Sequence, residues 1–356
     1  MGVATAIVAG GPGAMFWMWL VAILGSASAF IESTLAQIYK RKAADGSSYG
    51  GPAYYIQAVL KKRWLGILFA GTLIVTYMGG FNMVAAFNIA DSFRAYSFYD
   101  PSTTPLIIGA VLAAAFAVCI FGGSKQISKI TGVLVPVMGI FYILVSLVII
   151  VTHLNLVPQM FADIFTQAFD FKAIFGGFTG SAIMQGIKRG LFSNEAGVGS
   201  APNAAASAGV SHPVKQGLVQ MLSVYIDTIV ICSATAFMLL CSGIEPSTDL
   251  QGMPYVQAAV ANTLGSFGTI FITIALVLFA FTTLIGNFYY AEMGLGYICD
   301  KTPNKALLMV FRLAAALIVC FGATMEFSVA WNTADVLMGL MAIINLPVIL
   351  ILGGPA

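Results

Sequence analysis

Long apolar runs separated by short polar segments fill most of this chain of 356 residues. A helix needs about 20 residues to cross the hydrocarbon core of a bilayer, because it rises only ~1.5 Å per residue. A stub over residues 2–10 is too short to do so. The pattern predicts spans at roughly 13–38, 65–90, 105–121, 131–152, 173–187 (broken and continuing to 210), 216–242, 266–297, 306–325 and 328–352. Residues 1–356 are therefore predicted to form a single all-α polytopic membrane domain.

Basic residues are distributed unevenly between the two sides that alternating spans create. If the segment after the first span is cytoplasmic, all of the 16 Lys and Arg residues except Arg94 and Lys172 fall on that side. Cytoplasmic loops carry such an excess, and this bias sets the orientation of a membrane protein. The sequence thus predicts the side of the membrane on which each loop lies.

The cytoplasmic linker over residues 40–63 contains a pattern of its own. Gly50, Gly51 and Pro52 precede a segment, 53–60, with Tyr and aliphatic residues at helical spacing. A proline in the first turn suits a helix. The segment is interpreted as an amphipathic helix lying at the cytoplasmic interface or as an ordinary tethering loop.

Composition excludes several classes of protein. Charged residues make up 8% of the chain and hydrophobic residues 59%, whereas a soluble domain carries about 25% charged residues. No basic patch is interleaved with stacking aromatics, so nucleic-acid binding is not predicted. The five cysteines lack CxxC spacing and the two histidines stand apart, so neither a metal centre nor a set of catalytic residues is expected. The sequence predicts no enzyme and no cofactor.

Paired glycines interrupt two predicted helices, at residues 2–13 and 176–202. Unwound backbone is tolerated in a membrane only where it is buried in protein or faces a water-filled cavity. Transporters bind solutes at such breaks, although glycines also permit close helix packing. The Thr, Ser and Gln residues beside the second break favour a small-solute transporter. A channel would favour rings of repeated polar residues in an oligomer, and a scaffold or sensor is a further alternative.

Several motifs give the chain a recognisable likeness. The longest runs from Lys188 to Pro202, and four others follow the same order over nearly the whole chain: Gly2–Ala14, Gly50–Tyr55, His212–Leu218 and Phe279–Thr283. In these motifs the chain resembles the alanine or glycine:cation symporter family. The resemblance implies sodium-coupled, or sometimes proton-coupled, amino-acid uptake by alternating access on a five-plus-five inverted-repeat (LeuT-like) fold.

The likeness also implies a missing segment. Members of the family carry a Gly-rich unwound element and a half-helix before the position of Gly2. We therefore expect a transporter fold lacking the first half-helix, in a chain truncated at both ends. An inactive fragment of such a symporter is the alternative to a working one, and a proton-coupled transporter is another.

The resemblance places the amino acid between the two broken helices. Two departures from the family pattern lie near this place, namely Ala85 where a glutamine is often found and Asn287 where some members have tryptophan. These departures favour a substrate other than alanine or glycine, such as glutamine. The predicted substrate is therefore a small neutral amino acid: alanine, glycine or glutamine. The predicted substrate-binding residues are Asn82, Phe178, Ser181, Met184, Gln185 and Asn287. Core packing is an equal alternative for Phe178 and Met184.

Sodium prefers hard oxygen ligands, and the resemblance assigns three of them to one helix. They are the hydroxyls of Thr282 and Thr283 and the carbonyl oxygen of Phe279, one turn earlier. Threonine hydroxyls that only bond back to the preceding turn are the alternative. Sodium is then a co-transported substrate rather than a cofactor.

Three charged residues complete the predicted site. Asp227 lies near the centre of its span, where an acid is costly, and is either a cation-coupling site or a member of a structural pair. Arg189 and Glu195 flank a turn at the cytoplasmic end of the broken helix. They are predicted to belong to an inner gate, with a structural cap as the alternative. The expected location is the prokaryotic inner or plasma membrane, and the expected partners are an amino acid, sodium and lipid.

Overall fold

A computed structural model shows a helical membrane protein whose only strands, in the part of the chain it describes, form one short hairpin. It describes residues 1–43, 46–122, 124–170, 181–245, 247, 250–300 and 303–354, with side chains omitted at 124–131, 133 and 134. The predicted all-α polytopic class is confirmed.

The helices follow one another with short connections. In chain order they are α1 (Gly2–Gly10), α2 (Ala14–Ile38), α3 (Pro52–Leu60), α4 (Arg63–Ile74), α5 (Asn82–Asp91), α6 (Thr104–Gly122), α7 (Ser124–Thr152), α8 (Val157–Ala168), α9 (Ala182–Asn194), α10 (Ala201–Ser207), α11 (Pro213–Val224), α12 (Ser233–Leu240), α13 (Gly252–Leu264), α14 (Ser266–Cys299), α15 (Lys305–Gly322) and α16 (Phe327–Leu352). Strands β1 (Arg41–Lys42) and β2 (Ser48–Tyr49) pair antiparallel, and Leu154–Leu156 forms a 3-10 turn.

Eight of the described helices are long and apolar enough to cross a membrane. They are Ala14–Ile38, Arg63–Asp91, Thr104–Gly122, Val135–Thr152, Pro213–Leu240, Ser266–Cys299, Lys305–Gly322 and Phe327–Leu352. The remaining predicted span, 173–187, falls partly on residues outside the described ranges, and its described part belongs to α9, which continues to Asn194.

Two of these helices contain a π-helical segment that hydropathy did not predict. One, Val75–Phe81, joins α4 to α5, and the other, Tyr225–Cys232, joins α11 to α12. Each extra residue in a π turn rotates the following side chains to a new face, and such turns are frequent at functional sites. The two segments place Phe81, Asp227 and Cys232 on the cavity described below.

The spanning helices pack in two groups. In the first, α2 lies against α9 and α11, and α1 lies against α9. In the second, helix Arg63–Asp91 packs with α6, α14 and α15, and α16 lies mainly against Arg63–Asp91. Small residues bring α2 and α9 close, since an added Cβ at Gly190 would stand 3.1 Å from the Val21 side chain.

Loops that the charge pattern places on one side do meet in space. Arg63, at the start of α4, forms a 3.0 Å ion pair with Asp300 at the end of α14, on the predicted cytoplasmic side. On the predicted opposite side, the Tyr96 hydroxyl and the Thr273 hydroxyl are 2.8 Å apart.

The linker after α2 contains a helix, one of the two structures that its sequence pattern predicted. Pro52 begins α3, and Tyr55 and Ile56 are fully buried in protein rather than laid on the interface. Gly51 precedes it with φ +130, and an added Cβ there would clash with Asn203 of α10. Close approach of the two cytoplasmic helices therefore requires glycine at this position.

Candidate functional site

A cavity of about 770 Å³ lies between the two packed groups. Its wall includes the start of α1, the end of α9, both π-helical segments and the middle of α14. Six of the predicted site residues line it: Arg189, Glu195, Asp227, Phe279, Thr282 and Thr283. The structure thus brings the predicted sodium, coupling and gate residues to one space.

The hydroxyls of the two threonines on α14 bond back to the preceding helical turn, which was the alternative to ion binding. The hydroxyls of Thr282 and Thr283 both donate to the Phe279 carbonyl oxygen, at 2.8 and 2.9 Å. A hydroxyl that donates its hydrogen keeps two acceptor lone pairs. Since both side chains line the cavity, their oxygens remain able to ligate a cation that enters it.

Asp227 lies among hydroxyl and thiol groups, and the amino group of Met1 in the same cavity wall also interacts with it electrostatically. The Ser193 hydroxyl donates to its Oδ2, and the Thr228 hydroxyl is 3.4 Å from the same atom. Ser193 Oγ also lies 3.1 Å from Cys232 Sγ and 3.2 Å from Thr228 Oγ1. No Lys or Arg among the described residues forms an ion pair with Asp227. Within that part of the chain, its negative charge is thus not matched by a side-chain cation.

Sequence reasoning missed Ser193, Thr228 and Cys232. Ser193 belongs to the family motif, so that motif was the one available signal for it. Cys232 lines the cavity and Thr228 lies behind it, beside Asp227. Both belong to the π-helical segment Tyr225–Cys232, and hydropathy carries no trace of that segment.

Asn82 and Asn287 meet each other rather than the cavity. Asn287 Nδ2 donates to Asn82 Oδ1 at 3.0 Å, and both side chains are buried. The pair joins helix Arg63–Asp91 to α14, and neither residue belongs to the cavity wall. Among the described residues, Nδ2 of Asn82 has no hydrogen-bond partner.

The other predicted substrate residues sit at the beginning of α9. Ser181 has an extended backbone and caps this helix, because its hydroxyl accepts from the Met184 amide at 3.3 Å. Gln185 lies against Gly10 of α1. Ser181, Met184 and Gln185 therefore lie where α1 and α9 meet, outside the cavity wall, and Phe178 lies outside the described residues.

Arg189 crosses between the two packed groups. It is 3% exposed, forms an ion pair with Asp335 of α16 and lies over the Trp331 ring at 4.4 Å. Lys188 is 3.7 Å from the same carboxylate. Two further ring contacts cross the same boundary, since Phe192 lies 4.9 Å from both Phe81 and Trp331. The boundary between the groups is thus bridged by the ion pairs of Arg189 and Lys188 with Asp335 and by three aromatic rings.

Glu195 does not join Arg189. It ends α9 in the left-handed conformation, with φ +53, and accepts a 2.5 Å hydrogen bond from the Ser200 hydroxyl. The alternative interpretation, a structural cap, therefore describes its local geometry, although its side chain also faces the cavity. Among the described residues, the cavity wall then holds two carboxylates, and its one arginine is already paired. Carboxylates in the wall of a cavity attract cations.

Comparison with known proteins agrees with the chemistry of this cavity. The model of the sodium:alanine symporter family matches residues 1–356. The chain is 44% identical over 352 residues to a probable sodium/glutamine symporter of Bacillus subtilis, covering 99% of this chain and 72% of that protein. It is 45% identical over 356 residues to an amino-acid carrier protein of Bacillus subtilis, covering 100% and 74%. A sodium/alanine symporter of Methanococcus maripaludis is 42% identical over 360 residues, with 99% and 78% covered.

Proposed function

The chain belongs to the sodium:alanine symporter family, and on that premise we propose that it carries a small neutral amino acid across the membrane together with sodium. It is a multi-pass protein of the cell membrane and a symporter, not an enzyme. The proposed amino acid is alanine, glycine or glutamine, since relatives are named for alanine and for glutamine.

One observation carries the proposal: the hydroxyl-bearing residues Thr282 and Thr283 and the carboxylates Glu195 and Asp227 line a single cavity between the two packed groups. Thr282, Thr283 and the Phe279 carbonyl would hold sodium, because alkali cations take hard oxygen ligands. A volume of about 770 Å³ falls within the range of small-molecule pockets, roughly 300–1,000 Å³. There is room for an amino acid beside the ion.

Asp227 would couple the ion to the amino acid. Its carboxylate lacks a side-chain cation among the described residues, so an entering sodium ion supplies the missing positive charge. Moving one charge through 100 mV is worth ~2.3 kcal/mol, which drives the loaded protein inward. The two packed groups, which meet at the cavity, are the parts that would move against each other.

Release to the cytoplasm requires the contacts between the groups to part. Arg189 with Asp335, and Phe192 with Trp331, close the space between α9 and α16. We place Arg189 and Glu195 in this inner gate. Asn82, Asn287, Ser181, Met184 and Gln185 would meet the amino acid only if their present contacts with one another and with α1 rearrange.

Binding of labelled amino acids to the purified chain tests the assignment. We expect alanine or glutamine to bind only when sodium is present, with other small neutral amino acids competing. Replacing sodium by choline at constant ionic strength should abolish binding. Equal binding in choline, or binding that follows a change of pH but not sodium, would overturn sodium coupling and favour protons.

A further inference from the structure

Glu32 is a fully buried carboxylate within the span of α2. No Lys or Arg in the described parts of the chain forms an ion pair with it. An acid in that position is destabilising unless it has a compensating partner. Here the compensation comes from a network of neutral donors.

Two donors converge on the carboxylate. Asn345 Nδ2 donates to Oε2 at 2.9 Å, and the Gly197 amide donates to Oε1 at 3.3 Å. The second hydrogen of Asn345 Nδ2 goes to the Gly197 carbonyl oxygen at 3.0 Å. Tyr55 completes the network, since its hydroxyl donates to Asn345 Oδ1 at 2.8 Å. Every polar side-chain atom of Asn345 is thus used in holding the other three residues together.

The geometry of Gly197 makes the network possible. Its φ is +79, a conformation that residues with a Cβ rarely adopt, and an added Cβ would clash with Leu346. The turn 195–200 therefore offers its backbone to Glu32 and Asn345 only in this shape. The same turn carries Glu195 and follows Ser193, both of which line the cavity.

The four residues belong to both packed groups. Glu32 lies on α2 and Gly197 follows α9, in the first group, whereas Asn345 lies on α16 and Tyr55 on α3, which packs against α4. All four lie near the predicted cytoplasmic ends of their elements. A hydrogen bond in a low-dielectric interior is stronger than the same bond in water.

We propose that Glu32 and Asn345 form a clasp that holds the two packed groups together on the cytoplasmic side and must open for each release. Both are positioning residues, because they act on the turn 195–200 and not on the transported solutes. The proposal rests on the proposed symport, but the clasp itself is testable without transport. Glu195 and Tyr55 are the other titratable groups near the clasp.

Cys232 provides the readout, because it lines the cavity. With the other four cysteines changed to serine, it is the only thiol that a membrane-impermeant maleimide can label from the cytoplasmic side. Asn345→Asp removes the amide hydrogens that bond to Glu32 and to the Gly197 carbonyl oxygen, so the network loses at least one hydrogen bond whichever carboxyl group holds a proton. We expect labelling to accelerate by about tenfold, the factor that corresponds to ~1.4 kcal/mol, because a buried polar group then lacks its partner.

The exchange Glu32→Gln with Asn345→Asp tests the pairing itself. The amide introduced on α2 can donate to the carboxylate introduced on α16, and the Gly197 amide and Tyr55 keep their acceptors. Labelling should therefore return toward the wild-type rate. Should Asn345→Asp fail to fold, Tyr55→Phe removes one bond and should accelerate labelling by about threefold. Asn304→Asp, an equivalent change at an exposed helix cap, should change nothing.

Two results would overturn the clasp: labelling at the wild-type rate in folded Asn345→Asp and Tyr55→Phe proteins, or an exchange variant labelled as fast as Asn345→Asp. Uptake measured on the same preparations separates the two proposals. If labelling is faster in the variants but the wild type shows no sodium-driven uptake, the clasp is retained and symport is rejected. If the wild type shows sodium-driven uptake but labelling is unchanged in the variants, only the clasp is rejected.

Discussion

Asn287 on α14 donates a 3.0 Å hydrogen bond to Asn82, on the helix that carries the first π-helical segment. The bond lies in the interior of the second packed group, and both side chains are buried. Two residues that are predicted to bind the substrate therefore contact each other here, while Nδ2 of Asn82 has no hydrogen-bond partner among the described residues. Any contact with an amino acid has to exchange this bond for another.

Removing one member of the pair leaves the other unsatisfied. Asn287→Ala should destabilise the protein by about 1–3 kcal/mol, because a buried amide then lacks its partner. The double variant with Asn82→Ala should cost less than the sum of the single changes. Thermal unfolding in detergent measures all three. Strictly additive losses would show that the bond contributes nothing to stability.

The threonine hydroxyls on α14 should control affinity for sodium. Thr282→Val keeps the shape of the side chain but removes an oxygen, so we expect the sodium concentration for half-maximal binding to rise by about tenfold, or ~1.4 kcal/mol. Thr166→Val is the matched control, since its hydroxyl bonds back in the same way on an exposed face of α8. Equal sodium affinity in the two variants would remove Thr282 from the ion site.

The charge of Asp227 should control sodium-stimulated binding and not the stability of the fold. Asp227→Asn keeps a hydrogen-bonding side chain beside Ser193 but removes the charge. We expect sodium-stimulated binding to fall by about tenfold or more, because a monovalent ion in the cavity loses an unpaired carboxylate. Asp163→Asn, on exposed α8, serves as the control. Full sodium stimulation in Asp227→Asn would make the residue structural.

Removing only one charge of the buried Arg189–Asp335 ion pair, which joins the two packed groups, should destabilise the protein strongly. Asp335→Asn leaves Arg189 buried without a partner of full charge, which should cost about 3–5 kcal/mol. Replacing both partners, as in Arg189→Met with Asp335→Leu, should restore much of that stability. Yield of monodisperse protein and thermal unfolding measure both variants. A double variant no better than Asp335→Asn would contradict this explanation.

Helices of this protein could be foreseen because the bilayer demands continuous apolar length. The predicted runs at 266–297 and 328–352 lie within α14 and α16. The π-helical segments could not be predicted, because an extra residue in a turn leaves hydropathy unchanged. The partners of buried charges could not be predicted either, since Arg189 pairs with Asp335, 146 residues away, rather than with the nearby Glu195.

Part of the candidate site could be predicted from sequence motifs. Motif residues such as Thr282 and Arg189 were found because they stand in a recognisable order, and the fold brings them to one cavity. Ser193 and Thr228 were missed as partners of Asp227, because their meeting depends on how α9 packs against the second π-helical segment. Tertiary packing, and not local pattern, decides such contacts.

Uphill uptake by the purified chain in proteoliposomes tests sodium-coupled symport most directly. With sodium outside only and a potassium diffusion potential negative inside, labelled alanine or glutamine should accumulate above its external concentration. Collapsing the sodium gradient should release it. Uptake that only equilibrates, or that accumulates under a proton gradient without sodium, would contradict sodium-coupled symport.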